Sequence, residues 1–253
     1  MKPIIIANWK MNLNRAESVG LATQLRDQIK TTEAEVVICP SFTALSAVAD
    51  VLKNSELKLG AQNVSWEIKG ALTGEESSAT LVELGCQYVV IGHSERRQQL
   101  HETDEMSNRK VIVSLEQKLI PIICIGETLD ERRRGLTDSV LWQQLSAALK
   151  NIPWQSGDHV IIAYEPVWVI GTGQAIDPND AAAAMKVIHH GLLELMPDGE
   201  ARKTRIIYGG SVDPTNVASF AQLPECHGFL VGTASLDPER FCAIIPTLNP
   251  TIS

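Results

Sequence analysis

Eight alternations of a short apolar run with a helix-period stretch predict a (β/α)8 barrel, eight parallel strands inside an outer ring of helices. Two further observations support that fold. The apolar runs lack polar/apolar alternation, so they read as strands covered on both faces, as in a parallel sheet. The turn after the first run reads NWKMN, where an open dinucleotide-binding sheet would usually carry a glycine fingerprint.

In chain order the strands are predicted from IIIANW (4–9), EVVICP (35–40), LKLGAQ (57–62), QYVVIG (87–92), IPIICIG (120–126), HVIIAYEP (159–166), RIIYGG (205–210) and GFLVG (228–232). Helix periodicity covers 15–30, 43–53, 78–84, 103–118, 129–150, 178–195, 214–221 and 236–246. Thr103–Asp104, Asp177–Pro178, Asp213–Pro214 and Asp237–Pro238 are sound helix starts, because a short polar cap or an N-terminal proline satisfies or removes an orphan donor. No linker, low-complexity tract or break in composition interrupts the 253 residues, so one domain spanning 1–253 is expected.

Composition narrows the function. A formal charge of −8 argues against a general nucleic-acid or acidic-membrane surface, so an anionic ligand needs positive potential concentrated locally. The five cysteines, Cys39, Cys86, Cys124, Cys226 and Cys242, are scattered without a CxxC pair and read as small core residues in a reducing compartment. The opening MKPIIIANWKMN has too short an apolar run for a signal segment, and no run reaches membrane-spanning length. A cytoplasmic protein is expected.

Barrel sites lie at the C-terminal ends of the strands. Those ends carry Asn8 and Lys10 after strand one, Gln62 and Asn63 after three, and His93, Ser94 and Glu95 after four. Glu127 follows strand five, Glu165 strand six, Gly209, Gly210 and Ser211 strand seven, and Gly232 and Thr233 strand eight. Taken singly, Lys10 is an ordinary solvated lysine, His93 a structural histidine and Glu95–Arg96–Arg97 a solvated charge run. Glu165 is harder to dismiss: a carboxylate closing VIIAY must be paired, open to a cleft or shifted in pKa. YGGS and VGTAS each place small residues just before a helix, where backbone N–H groups suit a phosphate. Two such turns after strands seven and eight match the recurrent phosphate site of these barrels.

The motifs ANWKMN (7–12), AQNVSWEIKGALTGEES (61–77), VIGHSERR (90–97), CIGETLDER (124–132), AYEPVWVIGTG (163–173), YGGSV (208–212) and GFLVGTASL (228–236) resemble those of the triosephosphate isomerase family, in order and nearly end to end. The resemblance implies interconversion of dihydroxyacetone phosphate and glyceraldehyde 3-phosphate through an enediolate, in glycolysis and gluconeogenesis. It implies Glu165 as base, His93 as neutral electrophile, and Lys10 as the positive charge for phosphate and oxyanion. Asn8 would hydrogen-bond nearby, and Glu95 would sit beside the lysine. Gly171, Ser211, Gly232 and Thr233 would hold the phosphate, with 166–176 closing as a lid. That mechanism and that lid are familiar worked cases of carbon-acid catalysis. No metal or organic cofactor is implied. The segment 64–77, too long for a minimal βα connection, implies a homodimer in which Thr73 lies near the partner's site.

The sequence makes three departures from the family's pattern: Val169 for alanine, Gln174–Ala175–Ile176 for the commoner lysine-led lid end, and Thr233 for the second glycine of the strand-eight turn. A β-branched residue tolerates positive φ poorly, so Thr233 is expected to weaken or reshape phosphate binding. Barrel architecture alone also permits another phosphate-binding barrel isomerase, or a binder that has lost its chemistry. The Lys10, His93 and Glu165 set argues against both.

Overall fold

A computed structural model describes residues 1–30, 32–155, 159–170 and 174–245. Its strands are β1 (Ile4–Asn8), β2 (Glu35–Cys39), β3 (Lys58–Ala61), β4 (Cys86–Ile91), β5 (Ile120–Ile125), β6 (Ile161–Tyr164), β7 (Arg205–Tyr208) and β8 (Gly228–Val231). They form a closed barrel in sequence order, all neighbours parallel, with β1 paired to both β2 and β8.

The barrel explains why the strands carry no alternation. Ile4, Ile6, Val37, Val90, Ile122 and Leu230 point inward and form one buried cluster. Their chain neighbours Ile5, Ala7, Val36, Ile38, Val89 and Ile123 point outward into a larger cluster shared with the helices. Both faces are dry, so both must be apolar, and each fully buried isoleucine or valine adds about 1.5–3 kcal/mol of transfer free energy. At the N-terminal mouth the filling becomes polar: Arg205 Nη1 lies 2.6 Å from Glu35 Oε2, and the Tyr88 hydroxyl donates to Glu35. Burial pushes the Glu35 carboxyl up, but the Tyr88 and Arg205 hydrogen bonds outweigh it and hold Glu35 below its ordinary value.

The outer helices are α1 (Arg15–Gln28), α2 (Phe42–Leu52), α3 (Ser78–Glu83), α4 (Ser94–Gln99), α5 (Asp104–Glu116), α6 (Leu129–Arg133), α7 (Thr137–Ala148), α8 (Pro178–Leu195), α9 (Asp198–Ala201), α10 (Val217–Ala221) and α11 (Pro238–Ile244). α1 starts at a capping box in which Asn14 and Glu17 satisfy each other's backbone N–H. The helix expected over 129–150 divides into α6 and α7. Gly135 takes a φ of +69°, a left-handed step that ends the first piece and starts the second. The short α4 and α9 had no counterpart in the periodicity. Cys39, Cys86, Cys124 and Cys226 are buried free thiols and Cys242 is half-buried, as the scattered spacing predicts. No helix of the described residues is long and apolar enough to cross a membrane.

Candidate active site

β1 delivers Asn8, and Lys10 follows two residues later with a φ of +52°. A left-handed lysine is costly and persists because it is tied on both sides. Its N–H donates to Asn8 Oδ1 at 3.1 Å, and its carbonyl accepts from Gln62 Nε2 at 2.9 Å. Gln62 Nε2 also reaches the Cys39 carbonyl at 2.9 Å, fixing the Lys10 turn to the end of β2. The Lys10 ammonium then meets Glu95 Oε1 at 2.6 Å.

His93 caps α4. Its Nδ1 accepts the Glu95 N–H at 3.3 Å, which leaves Nε2 as the ring's donor. That Nε2 lies 3.1 Å from Glu165 Oε1. Glu165 follows β6, and its own N–H continues the sheet by donating to the Ile125 carbonyl at 2.8 Å. The backbone under this carboxylate is therefore rigid. Glu165 Oε2 accepts the Ser94 N–H at 2.8 Å, whereas Oε1, in a side chain only 1% exposed, takes no aligned hydrogen bond from the described residues. A buried carboxylate oxygen without an aligned donor is costly, and His93 Nε2 is the polar atom that faces this one. The fit is close: a Cβ on Gly209 would stand 2.9 Å from Glu165 Cγ.

A cavity of about 310 Å³ opens at the C-terminal ends of β1, β4, β7 and β8. Asn8, Lys10, His93, Gly209, Gly210, Ser211, Gly232 and Thr233 line it, together with Ile170, Val212, Asp213, Leu230, Ala234 and Arg240. The strand ends thus bring the expected lysine, histidine and small-residue turns to one hollow. Glu165 does not line that hollow. It sits behind His93 and Gly209, turned toward Ser94. Glu95 touches the cavity through Lys10 and His93, its Oε2 standing 3.7 Å from His93 Nδ1. Gly171 lies, with Thr172 and Gly173, outside the described residues.

Glu127, read as a rim residue, is fully buried and faces the other way. It accepts from the Tyr164 hydroxyl at 3.2 Å and from Trp168 Nε1 at 3.2 Å, with Arg132 Nη1 3.8 Å away. Burial raises its carboxyl above the ordinary value despite those donors. Arg132 also stacks over the Trp168 ring at 5.0 Å, so the stem of segment 166–176 is pinned to α6. Val169 is buried in this stem and Ile176 returns the chain to the outer core, so packing absorbs those two residues, while Gln174 and Ala175 stay exposed. Thr233 is not at positive φ; it opens a 3-10 turn over Thr233–Leu236, with Ser235 N–H bonded to the Gly232 carbonyl at 2.9 Å. The conformational objection to a β-branched residue there falls away.

Asp213 and Arg240 in the cavity wall were not expected. Asp213–Pro214 reads as a helix start, and Arg240 falls within the helix expected over 236–246. Among the described residues no three His, Cys, Asp or Glu side chains are grouped as metal ligands.

The family model described as "Triosephosphate isomerase" matches residues 3–248. The chain belongs to the triosephosphate isomerase family. It is 47% identical over 244 residues to triosephosphate isomerase of Alkaliphilus metalliredigens, covering 96% of this chain and 98% of that one. The protein of that name from Caldanaerobacter subterraneus is also 47% identical, with the same coverage. That of Symbiobacterium thermophilum is 47% identical over 243 residues, 96% of this chain and 95% of its own. The isomerase family therefore accounts for the whole barrel and not for one motif within it.

Proposed function

We propose that Glu165, His93 and Lys10 carry an intramolecular oxidoreduction at this cavity, the interconversion of dihydroxyacetone phosphate and D-glyceraldehyde 3-phosphate. Membership of the triosephosphate isomerase family fixes the overall reaction; the geometry suggests who does what.

A carbon–hydrogen bond beside a carbonyl is a weak acid, so rate depends on a positioned base and on stabilising the enediolate. Glu165 takes the proton from one carbon and returns it to the next. To do so its carboxylate leaves the Ser94 N–H and turns about its own side chain toward the cavity. His93 presents Nε2–H to the carbonyl oxygen, and a neutral donor can give and recover that proton without overcharging the site. Lys10, tethered by Glu95, balances the developing oxyanion, with Asn8 beside it. Backbone N–H groups at Ser211, Gly232 and Thr233 take the phosphate.

The observation that carries this reading is the placement of the two His93 ring nitrogens. The Glu95 N–H occupies Nδ1, which leaves the donor on Nε2, 3.1 Å from the unsatisfied oxygen of Glu165. Glu165→Asp tests it. Removing a methylene retracts the carboxylate by roughly 1.5 Å, and misplacement by about 1 Å can cost on the order of 10²-fold. The expected result is a kcat at least ~10²-fold lower with competitive inhibition by inorganic phosphate unchanged. A kcat near normal removes Glu165 from the role of base.

The same reading takes a second copy of the chain as partner. Met11, next to Lys10, is 95% exposed and Ile68 41% exposed, although Asn12 Nδ2 donates to the Trp9 carbonyl at 2.8 Å across the first turn and the Ser77 hydroxyl donates to the Ile68 carbonyl. Thr73 is exposed at the far side of the same segment. Apolar side chains held rigidly in water beside a candidate site suit a surface covered by another subunit.

A further inference from the structure

We propose that Arg240 is a second phosphate-recognising cation of the active-site cavity, acting at its outer wall. This rests on the reading of that cavity as the phosphate site. Among the described residues Arg240 and Lys10 are the two cationic side chains lining it, and each faces a carboxylate. The two pairings are unequal. Lys10 Nζ is 2.6 Å from Glu95 Oε1, a full hydrogen-bonded ion pair. Arg240 Nη2 is 3.9 Å from Asp213 Oδ2, beyond hydrogen-bond reach, with the side chains 50% and 33% exposed. An exposed pair at that distance holds its partners weakly.

Asp213 has other commitments. Its Oδ1 accepts from Thr215 N at 2.8 Å, Thr215 Oγ1 at 2.6 Å and Asn216 N at 3.2 Å. The Thr215 hydroxyl above all keeps this carboxyl below its ordinary value. A permanent negative charge therefore sits in the wall of a cavity meant for a dianion, in a chain of net charge −8. Arg240 offsets that charge, and its planar fork of donors matches two phosphate oxygens better than the distant Asp213 Oδ2. Its contribution is to capture and affinity. The reacting carbons, deeper beside His93, do not feel it.

Arg240→Gln, Asp213→Asn and Lys10→Gln are compared with the parent in competitive inhibition by inorganic phosphate, in calorimetric binding of phosphate, and in KM and kcat for glyceraldehyde 3-phosphate. Arg240→Gln should raise both the phosphate inhibition constant and KM about three- to ten-fold at low ionic strength, as for loss of a rim charge, with kcat within about two-fold. The gap should close at roughly 1 M salt, where screening reaches about 3 Å. Asp213→Asn keeps the Oδ1 acceptor of its turn and should tighten phosphate binding. An unchanged phosphate constant in Arg240→Gln at low salt overturns the proposal, as does a rise that salt leaves untouched. Lys10→Gln separates the causes: if it weakens phosphate binding while Arg240→Gln does not, Arg240 alone was misjudged, and if neither does, the phosphate cavity was.

Discussion

The buried carboxylate of Glu102 offers the sharpest test of how the catalytic turn is held. Glu102 Oε1 accepts the Gly92 N–H at 3.0 Å, one residue before His93. Its Oε2 accepts from Arg96 Nε and, at 2.7 Å, from Lys110 Nζ. Lys110 is itself buried and gives its other bond to Asn63 Oδ1 at 2.7 Å. Glu102→Gln keeps one acceptor, which Gly92 needs, and turns an amide donor toward two cationic donors. Stranding a buried charge in this way costs about 3–5 kcal/mol. In a chain of this size 1 kcal/mol moves Tm by roughly 2–4 °C, so a fall of about 6–20 °C is expected by calorimetry at fixed protein concentration. Adding Lys110→Met removes the stranded ammonium and should recover at least ~1 kcal/mol. Burial pushes Glu102 up, yet Lys110 and Arg96 outweigh it and hold the carboxyl below its ordinary value. Burial depresses Lys110 as well, which leaves its ammonium reliant on Glu102. A depressed carboxylate stabilises the fold fully above the unfolded value of about 4.3, and that contribution is lost as pH falls through the folded value. The gap between parent and Glu102→Gln should therefore narrow in acid below about pH 4. A loss under ~1 kcal/mol at neutral pH would refute the ionised buried pair.

Two further outcomes follow from contacts at the rim. Gly209→Ala puts a Cβ 2.9 Å from Glu165 Cγ and 3.4 Å from the Tyr164 carbonyl. Overpacking of about 1–3 kcal/mol and a kcat lower by at least ~10-fold are expected in denaturation and steady-state assays, and an unaltered kcat would show that Glu165 has room to spare. Thr73→Arg places a charge on the exposed turn proposed to dock into a second copy. Sedimentation should then report a smaller species with reduced activity, and a fully active dimer would count against that surface.

How much was legible depended on whether a residue's environment is local. The strands were, because a parallel strand buried on both faces needs an unbroken apolar run, and Ile4–Ile5–Ile6 announces one. α6 and α7 were merged because both share helix periodicity, although Gly135 carried the stop signal. The identities at the rim were legible as strand ends, since Asn8, Lys10, His93 and Glu165 are polar where the barrel stops being dry. The aim of Glu165 was not: it is set by the Ser94 N–H, 71 residues away, and by the missing Cβ of Gly209.

The same limit explains Lys110, Asp213 and Arg240. Lys110 and Arg240 fall inside helix-period stretches and Asp213 at a helix start, and nothing in those stretches marks any of them for a site. Lys110 becomes a buried ion through Glu102 and Asn63. Arg240 becomes a cavity wall because β7 and β8 are adjacent, so Asp213 and Arg240 meet from opposite sides of one mouth. Polar strand ends narrow the search without settling it, since Glu127 at such an end is buried against Tyr164 and Trp168; a charge on a helix acquires meaning from its partner. The partner distance is also what separates the two roles. At 2.7 Å in a dry interior Lys110 is committed to structure, and at 3.9 Å in water Arg240 remains open to a better anion.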